Sequence, residues 1–189
     1  MPYIKLFFSF LILTGNFACL AETIETIENK YYVISPHSPY QIKPELMRNS
    51  PIRHGGGSFN GHTDWYIDWK FQSTLGANGC QLDKVTTKVH VIHTLPALSE
   101  RVTDKQTINV FNKFNSVLTQ HEKNHGNNGL TAAREMDKLF NEIQPQRDCR
   151  QLSKMVNDIG NSTVQKYIHA DREYDRMTNN GQTEGAVIY

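Results

Sequence analysis

Residues Phe111–Gly126, FNKFNSVLTQHEKNHG, decide how this chain is read. Phe111, Phe114, Leu118, His121 and His125 recur at steps of three and four, the period of one helix face. Ala132, Met136, Leu139 or Phe140, and Ile143 continue the face, so one long helix is expected through the region. Within it, His121-Glu122-Lys123-Asn124-His125 spells H-E-x-x-H. Residues four apart on a helix share a face, so both imidazoles can point at one metal ion. Glu122 then stands beside that ion, placed to take a proton from a water. A histidine pair on a buried stripe can also be structural, bonded to a carboxylate or a backbone group. Two at this spacing with a glutamate between them favour the metal site. Gly126 and Gly129 stand inside the helix, where each costs about 1 kcal/mol relative to alanine. Close approach by another element, or room for a ligand, would compensate; the alternative is a helix that breaks at Gly126-Asn127-Asn128-Gly129.

Toward the C-terminus, Leu152, Val156, Ile159, Thr163, Tyr167, Ala170 and Tyr174 again recur at three and four. This predicts a second long helix packed on the first, with Asn141–Asp148 as connector. The tail from Asn179 to Gly185, rich in Asn and Gly, leaves the helix. Catalytic zinc generally keeps three protein ligands and one open position. The third ligand should come from the returning helix or the tail, and His169, Asp171, Glu173 and Asp175 are the candidates. The helical wheel does not choose among them.

Toward the N-terminus the chain reads as strands and loops. Tyr31-Tyr32-Val33-Ile34 is a short β-rich run. From Asp64 to Phe71, Trp65, Ile67, Trp69 and Phe71 alternate with Asp64, Tyr66, Asp68 and Lys70, the mark of a half-buried strand. Val85, Thr87, Val89 and Val91 alternate in the same way between Lys84 and His93, and the run closes at Leu95-Pro96. Arg53-His54-Gly55-Gly56-Gly57-Ser58 includes an H-G-G-G run that can supply oxyanion donors in serine hydrolases. No G-x-S-x-G nucleophile turn accompanies it, so it is read as a turn. The expected fold is α+β: a small antiparallel sheet packed on a long two-helix hairpin that carries the H-E-x-x-H site.

At 189 residues the chain is long enough for one domain with a proper core. Residues 1–21 read as a secretory signal: Lys5 precedes the apolar run Leu6–Leu13, and Ala21 ends a stretch of small residues. The run is too short for a membrane span. Cys19 as a lipid-attachment cysteine is the alternative, though Asn16 and Phe17 fit such a site poorly. Residues 22–189 then form a single exported domain, periplasmic or secreted. Removing Lys5 leaves 19 basic against 19 acidic residues, a neutral chain with no electrostatic footprint for nucleic acid. No second apolar segment suggests stable membrane insertion. Cys80 and Cys149 are the remaining cysteines, and in an oxidising compartment such a pair forms a disulfide.

Several stretches together resemble the bacterial family of predicted secreted zinc-dependent proteases, domain-of-unknown-function family nine-two-two. They are Thr63-Asp64-Trp65 through Trp69, Gly79-Cys80, Thr94-Leu95-Pro96, and His121-Glu122-x-x-His125-Gly126. Ala132-Ala133-Arg134-Glu135, Cys149 and Tyr174-Asp175-x-x-Thr178-x-x-Gly181 complete the set. The similarity covers nearly the whole chain after the leader. It implies a secreted or periplasmic metallopeptidase-like domain and makes Asp175 the first choice of third ligand. Members typically end Y-D-x-x-T-x-H-G, whereas Asn180 stands here in place of that histidine.

The expected function is therefore zinc-dependent cleavage of a peptide or protein substrate. His121, His125 and Asp175 would hold Zn2+, Glu122 would act as general base, and Tyr174 would stabilise the oxyanion if its hydroxyl reaches the metal face. The rival expectation is a non-catalytic envelope binding module that keeps the fold without turnover, for which Asn180 is the reason. The sequence leaves the oligomeric state open.

Overall fold

The computed structural model of the chain describes residues 20–54 and 57–189. Residues 1–19, most of the expected leader and Cys19 with it, lie outside the described residues. The elements follow in the order β1 (Leu20–Ile34), α1 (Pro39–Asn49), β2 (Arg53–His54), β3 (Gly57–Ser58), β4 (His62–Gly76), β5 (Gly79–Leu98), α2 (Lys105–Asn141) and α3 (Cys149–Thr178). The fold is α+β, as the patterning predicts.

β4 and β5 form a long antiparallel hairpin, with the aromatic face of β4 set against the valines of β5: Trp65 opposite Val91, Ile67 opposite Val89, Phe71 opposite Val85. β1 joins the other side of β5 and runs parallel to it, giving the order β1-β5-β4. The sheet is therefore mixed, where an antiparallel one was expected. The reason is the length of chain between the two strands: α1, the short β2–β3 pair and β4 intervene, and a parallel pair needs such a crossover. Gly55 and Gly56 of the H-G-G-G run lie outside the described residues; on either side of them, β2 and β3 pair antiparallel.

α2 runs unbroken from 105 to 141, so it does not break at Gly126–Gly129. Asp104 caps its start by accepting the Thr107 N–H at 2.8 Å, and Asp148 does the same for α3 through Gln151 at 2.8 Å. Both helices lie on the face of the sheet that carries Val85, Thr87, Val89 and Val91, all essentially without exposure. The helix glycines mark where sheet and helix touch. A Cβ on Gly126 would meet the His93 ring at 2.6 Å, one on Gly129 would meet Trp65 at 2.6 Å, and one on Gly160 would meet Trp69 at 2.5 Å. Bare backbone there lets the indoles and the imidazole lie directly on the helices. Gly129→Ala accordingly sets a helix-propensity gain of about 1 kcal/mol against overpacking of about 1–3 kcal/mol. We expect a net loss of stability in urea denaturation; an unchanged or higher midpoint would show that Trp65 can move aside.

Cys80 of β5 is bonded to Cys149 at the start of α3. Beside the bond, Cys80 and Gln146 exchange backbone hydrogen bonds of 2.7 and 2.8 Å, which pins the α2–α3 connector to the sheet. Around this point Leu82, Val85, Met136, Phe140, Leu152 and Val156 form one core cluster. A second cluster at the other end joins Ile34, Ile42, Leu46, Phe111, Phe114 and Leu118 to the tail residues Ala186 and Ile188. The tail thus leaves α3 at Asn179 and Asn180, both left-handed at φ 49° and 52°, and folds back over α2. No described helix is long and apolar enough to cross a membrane.

Candidate metal centre

α2 and α3 are antiparallel neighbours, and their facing side chains meet in pairs. Lys166 and Tyr167 reach Glu135, Asn128 reaches Asp171, and Asn124 reaches Tyr174. Continuing that register brings Asp175 to the two histidines. His125 Nε2 lies 3.3 Å from His121 Nε2, and Asp175 Oδ1 lies 3.2 Å from the first histidine and 3.0 Å from the second. Two ring nitrogens and one carboxylate oxygen therefore converge on a single point, and these three residues form a group able to hold a metal ion.

The far side of each imidazole is also occupied. His121 Nδ1 is 2.9 Å from Glu184 Oε2, and His125 Nδ1 is 3.0 Å from Asp171 Oδ1. Asp171 is itself fixed by Asn128 at 2.7 Å and by the Trp65 indole N–H at 2.6 Å. A carboxylate behind each ring keeps the proton on Nδ1 and turns the Nε2 lone pair toward the point of convergence. With both rings neutral, three acceptors would face one another with no hydrogen between them, so the group needs either a cation or an added proton on an imidazole. Two imidazoles and a carboxylate suit a first-row divalent ion.

The electrostatics agree. Burial lowers the His125 imidazole, but hydrogen bonds to Asp171 and Asp175 outweigh it and raise it to about 10. Burial likewise works against His121, and Asp175 and Glu184 raise it on balance. Burial would lift Asp175, yet the two imidazoles hold it below the usual carboxylate range. The slot demands positive charge from whatever occupies it.

Glu122, only 5% exposed, lines the same cleft as the two rings and reaches the start of β4. The Thr63 hydroxyl lies 2.8 Å from its Oε2 and 2.9 Å from its backbone carbonyl oxygen, and 2.9 Å from His93 Nδ1. Thr63 has one proton to give. Donating it to Glu122 leaves His93 Nδ1–H as the donor to Thr63, a buried chain of three groups. Gly61 makes room for the carboxylate, since a Cβ there would meet Glu122 Oε1 at 2.8 Å. Burial pushes the Glu122 carboxyl up, and the Thr63 hydrogen bond and the imidazoles oppose it only in part.

Tyr174 stands differently from the expectation. Its ring stacks on His121 with centroids 4.9 Å apart, its hydroxyl donates to Glu184 Oε1 at 2.8 Å, and Asn124 donates to it at 2.6 Å. The hydroxyl is thus spent on the far side of His121, and Tyr174 does not line the cleft onto which the three converging residues open. Of the other third-ligand candidates, Asp171 backs His125, Glu173 pairs with Arg176 and His169 is exposed. Asn180 lines the cleft, and its backbone N–H donates to the Asp175 carbonyl at 2.8 Å.

Glu184, Thr63 and His93 escape the sequence reading as members of the site. His93 carries a signal in retrospect, a polar residue continuing the inward-facing series Val89, Val91. Glu184, in a tail without periodicity, carries none.

Residues 29–182 match the profile of a family described as a bacterial protein of unknown function (DUF922). No curated protein and no solved structure matches the chain.

Proposed function

The chain belongs to the bacterial DUF922 family of unknown function, and from that premise we propose that it is an exported zinc-dependent peptidase. The observation that carries this reading is the convergence of His121 Nε2, His125 Nε2 and Asp175 Oδ1, each imidazole backed by a carboxylate, at the wall of an open cleft. Those three residues would hold the ion, and the side facing the cleft leaves a position for water. Zinc bound there supplies Lewis-acid polarisation of water and of a peptide carbonyl.

The chain's own groups do the rest. Glu122 accepts a proton from water as the water oxygen attacks the carbonyl carbon, then returns it to the departing amine nitrogen as the C–N bond breaks. Thr63, held by His93, fixes Oε2 and so sets the direction of the carboxylate. Glu184 and Asp171 hold the imidazole tautomers, and Tyr174 braces His121 from behind rather than touching substrate. Export is supported by the leader-like N-terminus and by the Cys80–Cys149 bond, which persists in an oxidising compartment.

Metal analysis of the purified mature protein tests the first half: one zinc per chain in wild type, lost in His121→Ala. Hydrolysis of a mixed peptide set by the zinc-loaded protein tests the second. Full zinc occupancy without any cleavage would favour the rival reading, a binding module without turnover. The observation behind that rival is Asn180, which lines the cleft and stands where the family resemblance implies a histidine. Glu184→Gln is expected to weaken zinc binding by about 10–100-fold while the fold persists, measured by competition with a chelating dye. An unchanged affinity would remove Glu184 from the support of His121.

A further inference from the structure

The cleft beside the metal centre has a volume of about 1080 Å³, just above the roughly 300–1,000 Å³ range of small-molecule sites. Six consecutive residues of β4, His62 through Ile67, line one wall. Successive side chains of a strand point to opposite faces. A cleft touched by all six must therefore follow the edge of the strand, not either face. That edge is the unpaired one, because β4 is bonded only to β5. Among the described residues no other backbone hydrogen bond reaches 62–67. Alternate N–H and C=O groups are thus on offer along the cleft, beginning beside Thr63 and Glu122. Val164 and Ile168 of α3 line the cleft as well.

The charges lining the cleft are not balanced in their commitments. Each carboxylate there already has a partner: Glu122 has Thr63, Asp171 has His125 and Trp65, Asp175 has both imidazoles, and Asp64 has His62. Lys43 of α1 and Arg172 of α3 have none among the described residues. The acids closest to them along their helices are engaged elsewhere: Glu45 with Arg48, Glu173 with Arg176 and Asp171 with His125. The uncommitted charges on the walls are both positive.

We propose that this cleft binds an extended acidic peptide, added to β4 as a further strand, with Arg172 and Lys43 reading its carboxylates. The inference rests on the peptidase reading for the purpose of binding, and its test reads binding alone. The probe is a short peptide of alternating valine and glutamate, titrated calorimetrically into zinc-loaded Glu122→Gln protein, with a twin carrying glutamine for glutamate. The glutamate peptide is expected to bind about fivefold more tightly, the worth of two part-shielded ion pairs. The preference should disappear in Arg172→Gln/Lys43→Gln and fade with added salt. Methylating one set of alternate amides should abolish binding, while methylating the other set is tolerated. Twins that bind equally, a preference that survives the double substitution, or two methylated sets tolerated alike would each overturn the proposal. Preferential binding of a peptide that the wild type leaves intact would sink the hydrolase and leave this inference standing. Equal KM values for cleavage of both twins would do the reverse.

Discussion

Glu122→Gln should lower peptide turnover by about 10²–10⁴-fold, the usual share of a general base, with zinc content unchanged. Glutamine keeps the shape of the side chain and an oxygen to accept the Thr63 hydroxyl, but it cannot take a proton from water. The metal ligands are untouched, so zinc per chain measured by mass spectrometry stays at the wild-type value. Stability should hold or rise, because a carboxylate almost fully buried is exchanged for a neutral amide. This pairing of lost turnover with preserved metal and fold separates a proton-transfer role from a structural one. Cleavage persisting at wild-type rate would remove Glu122 from the chemistry altogether.

Removing the disulfide should have the largest effect on stability. Cys80 and Cys149 are 69 residues apart, and closing a loop of that size restricts the unfolded chain by about 4 kcal/mol. The Cys80→Ala/Cys149→Ala protein, or the wild type under reductant, should therefore unfold at a clearly lower urea concentration, with a steeper slope because the uncross-linked unfolded chain exposes more surface. Cys80 has no exposure and sits among Val85, Met136 and Phe140, so packing loss adds to the effect. A loss below about 1 kcal/mol would mean that the Cys80–Gln146 backbone pair holds the connector by itself.

The parts of the molecule that bury one clean face could be read from the sequence. Trp65, Ile67, Trp69 and Phe71 alternate because β4 has the helices on one side and solvent on the other. The stripes of α2 and α3 recur at helical spacing because each lies on the sheet and on the other helix. β1 showed only its last residues, Tyr31–Ile34. Its earlier stretch, Glu22 to Lys30, lies at a sheet edge and is largely exposed, so nothing selects an alternation there. α1 leaves no clear pattern in the sequence, because only Ile42 and Leu46 are buried and Pro44 interrupts it. The convergence of His121, His125 and Asp175 was accessible because two ligands share one helix turn and family resemblance pointed to the third. Thr63, His93 and Glu184 reach the site from three further elements, and side chains brought together only by tertiary packing leave no spacing to recognise.

The position of β1 also bears on how the protein is made. This fifteen-residue strand is synthesised first, yet its only partner in the sheet is the last strand to emerge. Until then a ribbon bearing Ile24, Ile27, Tyr31 and Val33, exposed even in the finished fold, has no strand to pair with, although its end at Ile34 can already pack on Ile42 and Leu46 of α1. Pairing distant segments side by side is slow, and a waiting ribbon can bind its own kind instead. Refolding yield should therefore drop steeply as protein concentration rises, and a nascent chain would gain from a holding chaperone until β5 arrives.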